Sequence, residues 1–262
     1  MLELYHAASS VCSIKVRLVL AEKALEWRGH LLNLSAGEQF RPDYLRLNPE
    51  AVVPTLVHAG RVILESSVIA EYLDRLSDTN PLMPRDIGAE FATRHWLIRC
   101  IAIHEAINSL SFATLMRQRE RAAFSAAEIE ARQNQIPNPQ VRAKRRDLWQ
   151  HGTGSVYAKG ALHVLRRVFE DMAAALARDE WLAGPGFGLA DAALLPYIDR
   201  LERLGMAGLW QSEFPAVGAW LAAVQRRPSY DVSVAAFVPA PEADAVRQIG
   251  AAHWPAIAAL WN

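Results

Sequence analysis

Apolar and polar positions change rhythm along this chain. Leu2-Glu3-Leu4-Tyr5 alternates with period two and predicts a strand. From Val11 to Leu25 there is no Gly or Pro, and Ile14, Leu18, Ala21 and Leu25 form a stripe at helical spacing. Trp27 to Leu34 reads as extended again. After a polar loop with room for a short helix, Pro54-Thr55-Leu56-Val57-His58 and Arg61-Val62-Ile63-Leu64 flank Ala59-Gly60, the pattern of a hairpin. Val68, Ile69, Tyr72, Leu73 and Leu76 then mark one face of a helix opening at Ser66, the residue expected to cap it. The order β-α-β, loop, β-β-α predicts an α/β unit with a parallel crossover followed by a tight hairpin.

The texture then changes. Thr79-Asn80-Pro81-Leu82-Met83-Pro84-Arg85-Asp86 is rich in turn formers and reads as a linker. Beyond it lie alanine- and leucine-rich segments, with helices expected near residues 88–119, 154–178, 189–204, 215–226 and 242–261. A charged run from Arg117 to Asp147, interrupted by Ile136-Pro137-Asn138-Pro139, reads as a solvated helix face. The expected division is an α/β domain over residues 1–78 and an all-helical domain over residues 87–262.

Composition narrows the function. Lys plus Arg (28) balance Asp plus Glu (28), so no general field draws DNA, RNA or an acidic membrane surface. Hydrophobic residues make up 52%, yet no run of about 18 uninterrupted apolar residues is present. Two cysteines, Cys12 and Cys100, argue against a disulfide scaffold and fit a reducing compartment. The first residues lack the basic flank and long apolar run of a signal peptide. A cytoplasmic protein is expected.

Three short stretches carry the chemistry. Ser10 and Cys12 fall where a strand gives way to a helix, and unpaired N–H groups there favour negative charge. A thiol of pKa ~8.5 is only a few per cent thiolate at neutral pH, and a hydroxyl hydrogen bond at a helix start shifts that balance. The sulfur belongs either to a bound ligand activated by Ser10 or to Cys12 itself; the bland alternative is a capping serine and a small buried cysteine. No second cysteine follows three residues on, which counts against a dithiol oxidoreductase. Pro54 opens a strand, where its missing N–H is tolerated, and Val53 before it could pair with an extended peptide. Ser66 at a helix start suits a carboxylate, and Glu65 beside it suits an ammonium group. A ligand with an amino acid head group satisfies both.

These residues resemble the glutathione transferase superfamily over nearly the whole chain, most strongly over residues 1–78. Ser10-Val11-Cys12-Ser13-Ile14-Lys15-Val16-Arg17 is similar to the zeta-class pattern Ser-Ser-Cys-Ser-x-x-Val-Arg, with Val11 in place of its second serine. Gln39-Phe40 and Leu47-Asn48-Pro49 resemble zeta segments, and Pro42 to Asn48 followed by Ala51 to Val57 resembles the tetrachlorohydroquinone dehalogenase branch. The resemblance implies a thioredoxin-like N-terminal domain, an all-helical C-terminal domain and a cis bond before Pro54. It also implies glutathione as cofactor, a small hydrophobic electrophile as second substrate, and a homodimer. By position, Ser10 would stabilise the thiolate, with Ser13 as a second hydroxyl at the site. Gln39 would contact the glycyl end, and Val53 with Pro54 the cysteinyl backbone. Glu65 and Ser66 would hold the γ-glutamyl head. Cys12 matches the cysteine that resolves a glutathione conjugate in the dehalogenase.

In the second half, Phe187-Gly188-Leu189-Ala190-Asp191 resembles the superfamily's buried capping box, with Gly188 in place of the hydroxyl residue and Asp191 still able to bond back. The segment around Ile136-Pro137-Asn138-Pro139 resembles an insertion in bacterial β-aryl etherases. His104-Glu105-Ala106-Ile107-Asn108 begins like a zinc-protease helix but has Asn108 where the second histidine belongs, so no metal is expected. His104, Asn108 and Ser111 follow helical spacing and are candidates to meet the second substrate in a cleft between the domains. Cys100 reads as a buried small residue. The expected activity is attack of glutathione thiolate on an electrophile. Reductive dehalogenation, isomerisation, ether cleavage and non-enzymatic ligand binding stand as the alternatives.

Overall fold

The computed structural model describes residues 1–136 and 138–261. Pro137 of the Ile136–Pro139 interruption and the last expected domain residue, Asn262, lie outside the described residues. No helix among the described residues is long and apolar enough to cross a membrane. The chain forms two compact units: Met1–Cys100 with Ala175–Ile198 and Ala219–Ala240, and Ile101–Ala174 with Asp199–Gly218 and Pro241–Asn262.

The first unit is built on a four-stranded sheet of order β2-β1-β3-β4, from β1 (Leu2–His6), β2 (Trp27–Leu31), β3 (Thr55–His58) and β4 (Arg61–Ile63). β1 pairs in parallel with β2, Leu4 opposite Gly29, and antiparallel with β3, Leu4 opposite Leu56. The hairpin between β3 and β4 turns through Ala59 (φ 49°) and Gly60 (φ 77°), the left-handed pair that a two-residue connection requires. Gly29 has a different reason: a Cβ there would stand 3.0 Å from His6 Nε2, so glycine leaves room for that buried ring.

Helix α1 (Val11–Glu22) differs from the stripe expected of it. Val11 and every residue from Ser13 to Leu20 are buried, Lys15 and Arg17 included. Helix α3 (Ser66–Asp74) covers one of its sides, while the short helix Pro228–Tyr230 and the π-turn Asp231–Ala235 pack on others. A helix covered on several sides is buried all round, and its polar residues must then find partners inside.

The expected linker is pinned. Asp74 accepts from the N–H groups of Leu82 and Met83, while Lys23, 2% exposed, reaches Asp74 (2.9 Å), Ser77 O and Asn80 O. Helix α4 (Ile87–Ser111) follows. Within the first unit Cys100 is 2% exposed, as expected, although its neighbour Ile98 is 71% exposed.

The capping box lies in this unit too. Asp191, in the first turn of α9 (Leu189–Arg203), accepts from Gly188 N–H (3.0 Å), Leu182 N–H (3.1 Å) and Trp220 Nε1 (2.8 Å). Glycine at 188 has a steric reason: a Cβ there would stand 2.8 Å from Leu82 O.

In the second unit the charged run forms α5 (Arg117–Ala123), α6 (Ala126–Asn134) and α7 (Pro139–His151). Ser125 and Glu128 make a reciprocal capping box at the start of α6, and Asn138 caps α7. The run is only partly the solvated face expected of it. Arg145 lies 3.3 Å from the centre of the Phe112 ring and 2.7 Å from Glu120, and Arg117 donates to Trp149 O. Aromatic planes and carbonyls hold guanidinium groups well, which is why these arginines fold inward. The expected helix over 88–119 is interrupted by a π-turn at Phe112–Met116. Around α8 (Val156–Leu176), Phe169 is fully buried against Trp210, Phe214 and Trp261.

Candidate functional site

Ser10 is the N-cap of α1. Its Oγ accepts from Ser13 N–H at 3.3 Å, and the residue is half-buried. Capping uses a lone pair only, so the hydroxyl proton remains to be donated. Cys12 stands two residues beyond Ser10, in the first turn of α1, and Tyr197 OH lies 3.9 Å from its sulfur. Tyr197 is buried on α9, and its phenol is pushed well above the ordinary value by burial first and by Cys12 and Cys100 second. It therefore stays neutral, with a proton to share with the thiol.

Ser13 departs from expectation. It is fully buried, and its Oγ accepts from Ala7 N–H at 3.2 Å. Its hydroxyl braces the loop between β1 and α1 and is out of reach of a soluble ligand.

The loop before β3 is held from beneath. Asn48 Nδ2 donates to Val52 O (2.8 Å), Tyr44 OH donates to the same carbonyl, and Thr55 Oγ1 lies 3.0 Å from that phenol. Tyr44 sits in α2 (Pro42–Leu45), and Asn48, 2% exposed, follows shortly after it. The Val53–Pro54 bond is cis, as the resemblance implies. The ladder of β3 begins at Thr55, so the main chain of Val53 lies beyond the paired end of the sheet. Val53 packs with Ala7 and Tyr44, which joins this loop to the one that carries Ser10.

The third anchor is also corrected. The N-cap of α3 is Glu65, not Ser66, which is the first helical residue. Glu65 takes φ 65°, ψ 112°, and its side chain makes no cap bond. Such a backbone is costly for a residue with a Cβ and persists where the surroundings hold it, often at binding sites. Its carboxylate is exposed, while Ser66 is 8% exposed. The first N–H groups of α3 have no intrahelical acceptor and face outward along the helix axis. Lys15, fully buried on α1, donates to Ser67 Oγ at 3.0 Å and lies 5.3 Å from the centre of the Tyr197 ring. That bond ties the helix bearing Ser10 to the helix that follows Glu65.

Gln39 lies in a short 3-10 turn, Glu38–Phe40, and its Oε1 is buried without a hydrogen-bond partner. A buried amide oxygen with nothing to accept is an opening for a ligand donor. Cys100 is pushed above its ordinary value by burial, with Lys15 acting in the opposite direction, so it is a poor nucleophile. In the second unit His104 and Asn108 on α4 are partly exposed, whereas Ser111 is 7% exposed.

Sequence reasoning missed Lys15, Arg17, Tyr44, Asn48 and Tyr197. The first four lie inside motifs already singled out, and their burial was the missing information. Nothing in the sequence ties residue 197 to residue 12.

Two family models match the chain: the glutathione S-transferase N-terminal domain over residues 9–76 and the glutathione S-transferase C-terminal domain over residues 148–228. Glutathione S-transferase 3 of Zea mays is 31% identical over 247 residues, 92% of this chain and 96% of that one. Tetrachloro-p-hydroquinone reductive dehalogenase of Sphingobium chlorophenolicum is 26% identical, covering 88% of this chain and 94% of its own. Among solved structures, β-etherase LigF from Sphingobium sp. strain SYK-6 superposes with a TM-score of 0.77 at 25% identity, covering 88% of this chain and 98% of that one.

Proposed function

From the premise that the chain belongs to the glutathione S-transferase family, we propose that Ser10 donates a hydrogen bond to glutathione sulfur and thereby holds it as thiolate for attack on a small hydrophobic electrophile. The enzyme is a glutathione transferase with a thioredoxin-like sheet domain and a helical domain. Bound glutathione supplies the sulfur nucleophile; the chain's residues bind, orient and set protons. One observation carries the assignment of Ser10: its Oγ caps α1 as an acceptor at 3.3 Å, which leaves its proton free for a sulfur.

The other contacts follow the anchors. The N–H groups opening α3, with Ser66, suit the γ-glutamyl carboxylate, and the exposed carboxylate of Glu65 suits its ammonium group. Val53, held beside cis-Pro54, offers main-chain groups to the cysteinyl residue. Gln39, with its unsatisfied Oε1, suits the N–H of the glycyl residue. Ser13, fully buried in its brace to Ala7 N–H, makes no direct contact, and Ser111, 7% exposed, stays a candidate for the second substrate. His104 and Asn108 are assigned to the second substrate on their partial exposure. Residues 1–78 form the glutathione-binding domain and residues 87–262 the helical one. Cys12, in the first turn of α1 beside Tyr197, takes part if the reaction is reductive.

Exposed Ile87, Phe91 and Ile98 recur along one face of α4, and Val68 is exposed on α3. Patches of this kind mark protein–protein contacts, and a twofold homodimer is the ordinary outcome. The two cysteines, both thiols, fit a reducing cytoplasm.

The test is a pH titration of the thiolate absorbance of bound glutathione. Ser10→Ala is expected to raise the thiol pKa by about one unit, a tenfold loss of thiolate at neutral pH. Identical titrations for the two proteins would remove Ser10 from this role. A second reading, glutathione-dependent ether cleavage, is favoured by the TM-score of 0.77 with a β-etherase. In it a carbon–sulfur bond forms at the attacked carbon, the carbon–oxygen bond breaks, and an aryl oxide leaves. Release of a phenol from a β-aryl ether in step with thioether formation would establish it.

A further inference from the structure

Arg17 is one turn further along α1 than Ser10 to Ser13, is 2% exposed, and belongs to no contact assigned above. Its guanidinium spans two parts of the first unit. On one side Nη2 donates to Ala8 O (2.7 Å), and Nη1 donates to Ala7 O (3.1 Å) and His6 Nδ1 (3.1 Å). On the other side Nε donates to Ser233 O (2.8 Å), and the guanidinium carbon lies 4.1 Å from the centre of the Phe237 ring. Ser233 belongs to the π-turn Asp231–Ala235, and Phe237 follows it. Phe237 also meets His6 edge to face, with centroids 5.4 Å apart.

Ala7 O is a shared acceptor. It receives Arg17 Nη1 and also Ser10 N–H, at 3.3 Å. Fixing that carbonyl fixes the peptide from which Ser10 hangs. The same turn is also braced by Ser13 Oγ at Ala7 N–H and joined to α1 where Ser10 O accepts from Ile14 N–H at 2.9 Å. The guanidinium fork, with several donors in one plane, sets the loop carbonyls in direction as well as distance. The far end of the fork is anchored by residues 233 and 237, past the stretch 148–228 matched by the C-terminal family model.

We propose that Arg17, clamped between Ser233 O and the Phe237 ring, is a positioning residue for Ser10, and that the segment 231–237 is therefore a working part of the glutathione site. The proposal rests on the reading of Ser10 given above. Arg17 does not touch glutathione; it acts by holding the loop that presents the hydroxyl. Hydrogen-bond stabilisation of a thiolate depends steeply on donor direction, so a small tilt of that loop costs thiolate before it costs binding.

The experiment uses the full chain and glutathione itself, with two readouts: the thiolate titration and the calorimetric Kd. Arg17→Lys and Phe237→Ala are expected to raise the bound-thiol pKa by about one unit, a tenfold loss of thiolate, while Kd changes less than about threefold. Phe237→Tyr, which keeps the ring face, is expected to recover most of the loss. Phe237 is partly exposed, so its variants are mild. Phe237→Leu keeps the apolar bulk without the ring face and replaces Phe237→Ala should that variant not fold. A folded Phe237→Ala or Phe237→Leu protein with the wild-type thiolate pKa overturns the proposal, even where Ser10→Ala shifts that pKa as expected. Wild-type protein that fails to bind glutathione overturns both readings together.

Discussion

Asp191 allows the electrostatics of the fold to be tested in isolation. The carboxyl group is fully buried and accepts from two backbone N–H groups and an indole N–H. Burial pushes its pKa up from the ordinary 3.8 to about 6, and those three donors recover only part of the cost. The folded chain therefore binds a proton more tightly than the unfolded chain does. The resulting stability is fully present below pH 3.8 and is lost as the pH rises through about 6. A gap of roughly two pH units, at about 1.4 kcal/mol per unit, corresponds to about 3 kcal/mol. Asp191→Asn removes the titration. Asn Oδ1 can still accept from Leu182 and Trp220, but the amide nitrogen then faces Gly188 N–H, a constant loss of about 1–3 kcal/mol. The difference in unfolding free energy between the two proteins, measured in urea at a series of pH values, isolates this group. The wild type should lose about 3 kcal/mol relative to Asp191→Asn between about pH 3 and pH 7. Parallel curves over that range would refute the argument. The same cap starts the helix that carries Tyr197 to Cys12, so the variant should also alter the reactivity of Cys12 toward a thiol reagent.

The other predictions have different signs. His6 is pressed down from its ordinary 6.5 to about 4 by burial first, then by Arg17 and His30. Between those values the unfolded chain takes up the proton first, so His6 contributes stability above pH 6.5 that is lost as the pH falls through about 4. His6→Asn, which keeps an acceptor for Arg17, should flatten that acid limb in a thermal-melt series. Gly188→Ser would restore a capping hydroxyl worth only a few tenths of a kcal/mol over glycine. Its Cβ would nevertheless meet Leu82 O at 2.8 Å, so Tm should fall, by an amount matching about 1–3 kcal/mol. Asn48→Ala frees Val52 O from its 2.8 Å bond and should weaken glutathione binding about tenfold while leaving the bound-thiol pKa in place. Calorimetry beside the thiolate titration separates the two.

Much of the sheet domain was legible because its signals are local. Period-two alternation placed β1, Ala59-Gly60 placed the hairpin turn, and the apolar stripe from Val68 to Leu73 placed α3. The motif at Ser10 marked a helix start because capping is decided within a few residues of chain. Short-range rules also misled in places. Ser66 looks like a better cap than Glu65, yet the chain enters α3 through a positive-φ Glu65, a choice that propensity alone disfavours. The charged run looked solvated because a one-dimensional pattern cannot show Phe112 beneath Arg145.

Side-chain identity and local period thus sufficed for the strands, the hairpin and the helix start at Ser10, since each depends on interactions within a turn or two of backbone. Contacts between distant residues had to be seen in three dimensions: Lys15 with Ser67, Arg17 with Ser233, Tyr197 with Cys12. Covering α1 on several sides turned a lysine and an arginine from surface charges into struts. The energy of a buried charge is set by what surrounds it in space, and chain order carries no record of that.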